Sequence, residues 1–161
     1  GAALWTGRTI YNSSTNSIDV YTGSWITWLT GTQNISGTTQ IDQGATTNIT
    51  KTITKHRYIR SGAVLKWWFQ IAMTGAGTAA SQVTMTIPIA AVGHSVGDVI
   101  GSGYIYDVSA TQRYHGNWEL TSTTQIALGI SQTSVALWGA TPNIALASGD
   151  KLFGVVEYTV A

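Results

Sequence analysis

The chain has 161 residues and no cysteine, which excludes disulfide frameworks, thiolate metal sites and cysteine nucleophiles. Only 8 Lys or Arg and 7 Asp or Glu are present, 9% of the chain, against about 25% in an ordinary globular domain. The net charge of +1 gives no general attraction to nucleic acid or to an anionic membrane, and neither partner is expected.

Thr, Ser, Gly, Asn and Gln must therefore build most of the surface. Low charge together with 7 Trp and 7 Tyr is unusual for a free monomer, so part of the exterior is expected to be an interface. A chain of this length folds as one domain and buries roughly two thirds of its unfolded surface. No 18-residue apolar span and no signal-peptide pattern occur, so membrane insertion is not expected. The start Gly1-Ala2-Ala3, without Met, is expected of a cut inside a longer protein, of an expression scar, or of both.

Helical periodicity is nearly absent, and β-branched and aromatic residues dominate the segments between glycines. The expected strands are 17–21, 25–29, 46–54, 64–73, 82–89, 101–108, 112–120, 125–130 and 152–160. About nine strands separated by turns predict an all-β chain, an antiparallel β-sandwich or jelly roll. Residues 1–45 read as an N-terminal arm or the first hairpin, and residues 46–161 as the sandwich module, within a single domain. The N-terminal part carries a polar turn cluster, Asn12-Ser13-Ser14-Thr15-Asn16, and the aromatics Trp5, Tyr11, Tyr21, Trp25 and Trp28 scattered through polar sequence. Asn12, Asn34 and Asn48 begin glycosylation sequons, which matter only in a secretory eukaryotic cell.

Five of the basic residues, Lys51, Lys55, Arg57, Arg60 and Lys66, lie close together in the chain. They fit a solvated strand-and-turn face, with an anion or nucleic-acid site as the alternative. His56 stands between Lys55 and Arg57, which disfavours its protonation and its use as a cation ligand. In 64–73 the odd positions Leu65, Trp67, Phe69, Ile71 and Met73 are apolar, the period-2 pattern of a half-buried strand. Trp67 and Phe69 are expected inside. Trp68, on the other face, needs a second sheet, a neighbouring subunit or a ligand to cover it; if it stands in solvent on a flat face, sugar binding gains. Val83, Met85, Ile87 and Ile89 alternate with Thr84, Thr86 and Pro88, and Pro88 should end that strand at an edge or bulge.

The run Gly93-His94-Ser95-Val96-Gly97-Asp98 suits a turn and also offers groups for a metal or a sugar hydroxyl; no metal is expected. Tyr104 and Tyr106, then Tyr114, Gly116, Trp118 and Leu120, then Ile126, Leu128 and Ile130 read as an antiparallel meander. On its middle strand Arg113, His115, Asn117 and Glu119 share the face opposite Tyr114 and Trp118. That polar face fits either a saccharide or a ladder of cross-strand pairs. Trp67-Trp68, Trp118 and Trp138 offer stacking platforms, of which at most one or two should be exposed. The candidate ligand-binding residues are Trp68, Arg113, His115, Asn117, Trp118 and Trp138. Leu152, Val156, Tyr158 and Val160 form a closing strand that should be tied into a sheet.

Catalytic constellations are thin. No two of the carboxylates Asp19, Asp42, Asp98, Asp107, Glu119, Asp150 and Glu157 stand at a spacing that demands joint action, so no enzyme and no cofactor are expected. The glycine runs at 75–77 and 101–103 lack the lysine and helix of a phosphate loop.

Several of these segments occur in a familiar order. Arg57-Tyr58-Ile59-Arg60-Ser61-Gly62-Ala63-Val64 leads into Trp67-Trp68-Phe69; Thr86-Ile87-Pro88-Ile89, Gly101-Ser102-Gly103-Tyr104, Tyr114-His115-Gly116 and Ala147-Ser148-Gly149-Asp150-Lys151-Leu152 with Tyr158 follow. The ordered set resembles β-sandwich modules in tail, fibre and baseplate-associated proteins of tailed bacteriophages. It spans roughly residues 46–160, with Gly62-Ala63 where such modules usually have Gly-Asn or Gly-Lys. The resemblance implies a C1q/TNF-like jelly roll assembled as a homotrimer, sited on the phage particle with other phage structural proteins, tail or fibre, and recognising a host-surface glycan through exposed loops. A capsid decoration or head-fibre protein of the same fold is the alternative within the virus, and a carbohydrate-binding module of a larger enzyme the alternative outside it. Gly62, Gly149 and Asp150 are expected as turn residues, the glycines for positive φ and Asp150 as a cap.

Overall fold

A computed structural model describes residues 9–12, 17–21, 25–29, 33–34, 39–131 and 135–161. Residues 1–8 and 13–16, with Trp5 and the polar cluster that follows Asn12, lie outside them, as do the side chains of Tyr11, Tyr21, Trp25 and Trp28. The described residues form strands and no helix: β1 (Thr9–Asn12), β2 (Ser17–Tyr21), β3 (Trp25–Leu29), β4 (Gln33–Asn34), β5 (Ile41–Gln43), β6 (Lys51–Ser61), β7 (Val64–Met73), β8 (Val83–Thr86), β9 (Val99–Asp107), β10 (Gln112–Ser122), β11 (Gln125–Ser131), β12 (Val135–Leu137) and β13 (Lys151–Thr159). The chain is all-β and antiparallel, as the alternation patterns predict.

Eight strands in the order β6-β7-β13-β9-β10-β11-β8-β5 curl around one core in the manner of a β-sandwich or jelly roll. β1, β2 and β3 continue the sheet beyond β6 through the single pair Trp28 and Ser61, and β4 also pairs with β6. The expected meander is present as β9-β10-β11. The closing strand β13 lies deeper in the sheet than a tied-down terminus requires, between β7 and β9. The strand that carries Val83 and Met85 stops at Thr86, two residues before Pro88.

Of the expected strand 46–54 only residues 51–54 are strand, the start of β6; 46–50 belong to the turn before it. Gly44, at φ 61°, and Asn48, at φ 49°, turn the chain between β5 and β6. β6 then runs on to Ser61 through its charged residues, which lowered its β-character in the sequence. Ile41 and Gln43 are fully buried in β5, so the sandwich takes in residues before the expected boundary at 46.

The core follows from which residues of β7 face inward. Leu65, Trp67, Phe69, Ile71 and Met73 are all buried. Trp67 packs on Phe69 with ring centres 4.4 Å apart, and Phe69 meets the Trp118 ring edge to face at 5.2 Å. Space for these rings comes from glycines on the facing backbone. Gly103 and Gly154 pair across β9 and β13, and a Cβ on Gly154 would overlap Phe69 and Trp118. The Trp118 indole N–H donates to the Phe153 carbonyl at 3.2 Å, which anchors the largest ring of the group.

Some polar groups inside the fold are engaged, while the indole N–H groups of Trp67 and Trp138 find no hydrogen-bond partner among the described residues. Buried Gln43 donates through Nε2 to the carbonyls of Ser81 (3.1 Å) and Ile144 (2.7 Å) and accepts from the Leu146 N–H (2.8 Å). One amide thus ties the β7–β8 and β12–β13 loops to β5. His56 is buried at the edge of Trp67 and bonds the Thr39 hydroxyl at 3.0 Å, a structural placement far from solvent cations. Gly62 takes φ 59° as the first of two turn residues between β6 and β7, the position glycine occupies in a type II′ hairpin.

These two glycine roles predict different costs. A Cβ at Gly103 would overlap the Phe153 carbonyl and the Trp118 nitrogen, whereas one at Gly62 meets nothing within 4 Å. Urea denaturation should show Gly103→Ala losing about 3 kcal/mol or more through overpacking. Gly62→Ala should lose only about 1–2 kcal/mol, the strain of a left-handed residue. The reverse ranking would mean that the glycine floor does not set the core.

Candidate functional site

A strand alternates its side chains between faces, so the residues between the core positions of β6, β7, β13, β9 and β10 share one outer surface. Register sorts them into rows. His115, Tyr104, Phe153, Gln70 and Lys55 align across the five strands, and Asn117, Ser102, Val155, Trp68 and Arg57 form the next row. Four strand spacings of about 4.8 Å give each row a span of ~19 Å. Beyond the first row, Arg113, Tyr106 and Lys151 align in the same way.

The aromatic members touch. Tyr104 stacks on Phe153 with ring centres 4.4 Å apart and planes 21° apart, and His115 lies 5.2 Å from the same tyrosine. The Arg113 guanidinium sits 5.8 Å from the Tyr104 ring and 5.7 Å from the Tyr106 ring, within cation–π range. Lys66 reaches over Trp68 at 5.8 Å and pairs with Glu157 at 3.6 Å.

Two grooves cross this surface. One, of about 240 Å³, is lined by Lys55, Trp68, Gln70, Ser102, Tyr104, Phe153 and Val155 with the backbone beneath. The other, of about 340 Å³, is lined by Lys55, Arg57, Ile59 and Trp68. Trp68 and Lys55 border both. An aromatic wall beside amide, hydroxyl and cationic groups offers a stacking plane with hydrogen-bond donors at its rim, an arrangement that suits a ring bearing polar substituents.

The structure brings Trp68, Arg113, His115 and Asn117 onto this one surface, as the alternation of their strands predicts. Trp118 and Trp138 are corrected. Both are fully buried and offer no platform. Trp118 points inward over the glycine floor, while Trp138 follows β12 into the core, its ring 5.9 Å from Tyr114 and its backbone bonded to Leu128 and Val83. Trp68 is half-buried against its own sheet and lines open grooves.

Tyr104, Phe153 and Gln70 join the site beyond the residues expected from the sequence, while Lys55 and Arg57 come from the basic cluster for which an anion or nucleic-acid site is the alternative expectation. Phe153 had a signal: it breaks the apolar alternation of Leu152, Val156 and Tyr158 just as Trp68 breaks that of β7. Tyr104 and Tyr106 face outward because Gly101, Gly103 and Ile105 take the inner positions of β9.

Elsewhere the titratable groups serve turns. Buried Asp150 accepts the Val108 N–H (2.9 Å) and the Ala147 N–H (2.8 Å), capping the turn in which Gly149 takes φ 100°. Neighbouring Asp107 is also buried and accepts the Ser109 hydroxyl (2.7 Å) and the Ala110 N–H (3.0 Å). The His94 segment closes on itself: Asp98 accepts the Ser95 N–H and faces His94 Nδ1 at 3.3 Å, while His94 Nε2 accepts the Thr159 N–H at 3.1 Å. The two bonds to Asp98 hold its carboxyl below the ordinary aspartate value. Among the described residues no group of three or more His, Asp or Glu side chains is placed to hold a metal ion.

No family model matches the chain, and neither the curated proteins nor the solved structures include a significant match to it.

Asp150 supplies a pH test. Burial raises its carboxyl above the ordinary aspartate value despite the two N–H donors. A raised folded-state value means that the folded chain binds more protons than the unfolded chain across that window. The group's contribution is therefore largest at low pH and falls as pH rises through the folded value. Thermal melts from pH 3 to pH 7 should show the wild type losing stability relative to Asp150→Asn as pH rises; parallel curves would contradict the placement.

Proposed function

We propose that this chain is a non-enzymatic adhesion module of a bacteriophage tail or tail fibre, which holds a host-surface saccharide on the outer strand face. The observation that carries the saccharide reading is the groove lined by Trp68 from one row and by Phe153 and Tyr104 from the next, with Lys55, Gln70 and His115 beside them. Recognition then lies on the strands, where side-chain rotamers are fixed by neighbours, rather than on the loops. Support for a phage particle is the ordered motif set that runs from Arg57 to Tyr158, within which Gly62, Gly149 and Asp150 perform their turn roles.

A homotrimer belongs to this reading. Val64 is 42% exposed, Val92 38%, Val96 75% and Val99 57%, an unusual aliphatic exterior for a chain so short of charge. Val64 pairs with Thr159, whose carbonyl accepts the Val92 N–H, so these two valines lie where β7 begins and β13 ends, while Val99 opens β9 opposite Glu119. These valines would bury against neighbouring subunits. The second reading, a carbohydrate-binding module of a larger enzyme, is favoured by Trp68 itself, because a tryptophan lining an open groove serves a monomer equally well.

A glycan array followed by tryptophan-fluorescence titration tests the saccharide reading. Trp68→Ala should weaken binding by about tenfold or more, the loss of one stacked ring in its site, with Tm unchanged. Failure of every glycan to bind would refute it. Light scattering after size-exclusion should give about three times the 17.1 kDa chain mass, and Val96→Asp combined with Val99→Asp should release monomers. A clean wild-type monomer at micromolar concentration would remove the trimer and leave the enzyme-module reading in its place.

A further inference from the structure

The charges on the outer face are distributed unevenly. Lys55 and Arg57 stand at the β6 end of the two rows, and both line grooves that, among the described residues, no carboxylate lines. Among the described residues neither makes an ion pair, whereas Lys66 on the same face is already held by Glu157. At the opposite end Arg113 is exposed on β10, its guanidinium laid beside Tyr104 and Tyr106. Between these ends the rows hold neutral groups only: Gln70, Trp68, Val155, Phe153, Ser102 and Tyr104. A chain with only eight Lys and Arg places five of them, Lys55, Arg57, Lys66, Arg113 and Lys151, on this one face.

Unpaired cations at the rim of a stacking surface cost self-repulsion and gain nothing unless an anion arrives. From this we infer that the saccharide held here is acidic, with pyranose rings against Trp68 and the Phe153–Tyr104 pair and a carboxylate against Lys55 and Arg57. The inference rests on the saccharide reading and specifies its ligand class. Arginine forms a bidentate pair with a carboxylate, and the neighbouring lysine adds a second charge-assisted bond. The Arg113 end, across a trough of ~19 Å, takes a second acidic unit of an oligosaccharide. A single-stranded nucleic acid fits less well, because it needs cations along its whole backbone, and between the two ends Lys66 is already paired with Glu157 and Lys151 alone flanks the rows.

Tetragalacturonate and 3′-sialyllactose, each beside its methyl ester, separate charge from ring shape. Calorimetric titration of the intact chain should show an acid binding about tenfold or more tighter than its ester, the loss of one charge-assisted pair. That preference should shrink as sodium chloride is raised. Lys55→Gln combined with Arg57→Gln should abolish the preference, the acid then binding no tighter than its ester, with Tm unchanged because both residues stand on the outer face. Equal binding of acid and ester, or a preference that survives the double variant, overturns the acidic-ligand inference and leaves the saccharide reading standing. Binding of neither form, with the glycan array also blank, overturns both. Tighter binding of a short oligothymidylate than of either acid assigns the face to nucleic acid instead.

Discussion

Everything on the outer face depends on three rings inside. Trp67, Phe69 and Trp118 need a depth that side chains on the facing strands would fill, and Gly103 and Gly154 supply it by having none. Because a strand alternates its side chains strictly, placing these glycines inward sends Tyr104 and Phe153 outward, and placing Trp67 inward sends Trp68 outward. The aromatic trough is thus the reverse side of the core's own packing. A one-residue slip of β13 against β7 would bring Phe153 into the glycine's place and remove core and trough together. Shared dependence on one register makes the surface rigid without any dedicated scaffold.

The same register explains what could be read from the chain alone. Strands 17–21, 25–29 and 64–73 coincide with β2, β3 and β7, because apolar alternation and glycine punctuation agree there. The polar face of Arg113, His115 and Asn117 follows from period 2 by itself. Long-range pairing does not. That β13 inserts between β7 and β9, bringing Phe153 beside Tyr104 and within reach of Trp68, is set by contacts between residues about 50 to 85 apart in the sequence, which no local pattern encodes. Trp118 and Trp138 mislead for a related reason: a tryptophan's fate depends on the volume opposite it, and the glycines that bury Trp118 lie on other strands.

Low charge shifts the work of fixing loops to neutral and buried polar groups. Gln43 joins two loops to β5 through one amide, Asp150 and Asp107 cap adjacent turns, and Asp98 with His94 closes the loop ahead of β9. Each is bonded mainly to backbone, where geometry is fixed and little side-chain entropy is lost compared with a surface ion pair. Only one Lys–Glu bridge is present among the described residues, and it lies on the outer face. Among the described residues Lys55, Arg57 and Arg113 accordingly stand without carboxylate partners.

A flat strand face has a physical advantage over loops for recognising a weakly binding ligand such as a sugar. Loop side chains lose rotamer freedom on binding, a cost of about 0.5–1.5 kcal/mol for each one immobilised. Tyr104 is already stacked between Phe153 and His115, and Trp68 already lies beneath Lys66, so little freedom remains to be lost. Preorganisation of this kind also limits how far the face can adapt. Ligand choice must then come from what stands at the ends of the rows, and there the chain has concentrated its scarce positive charge.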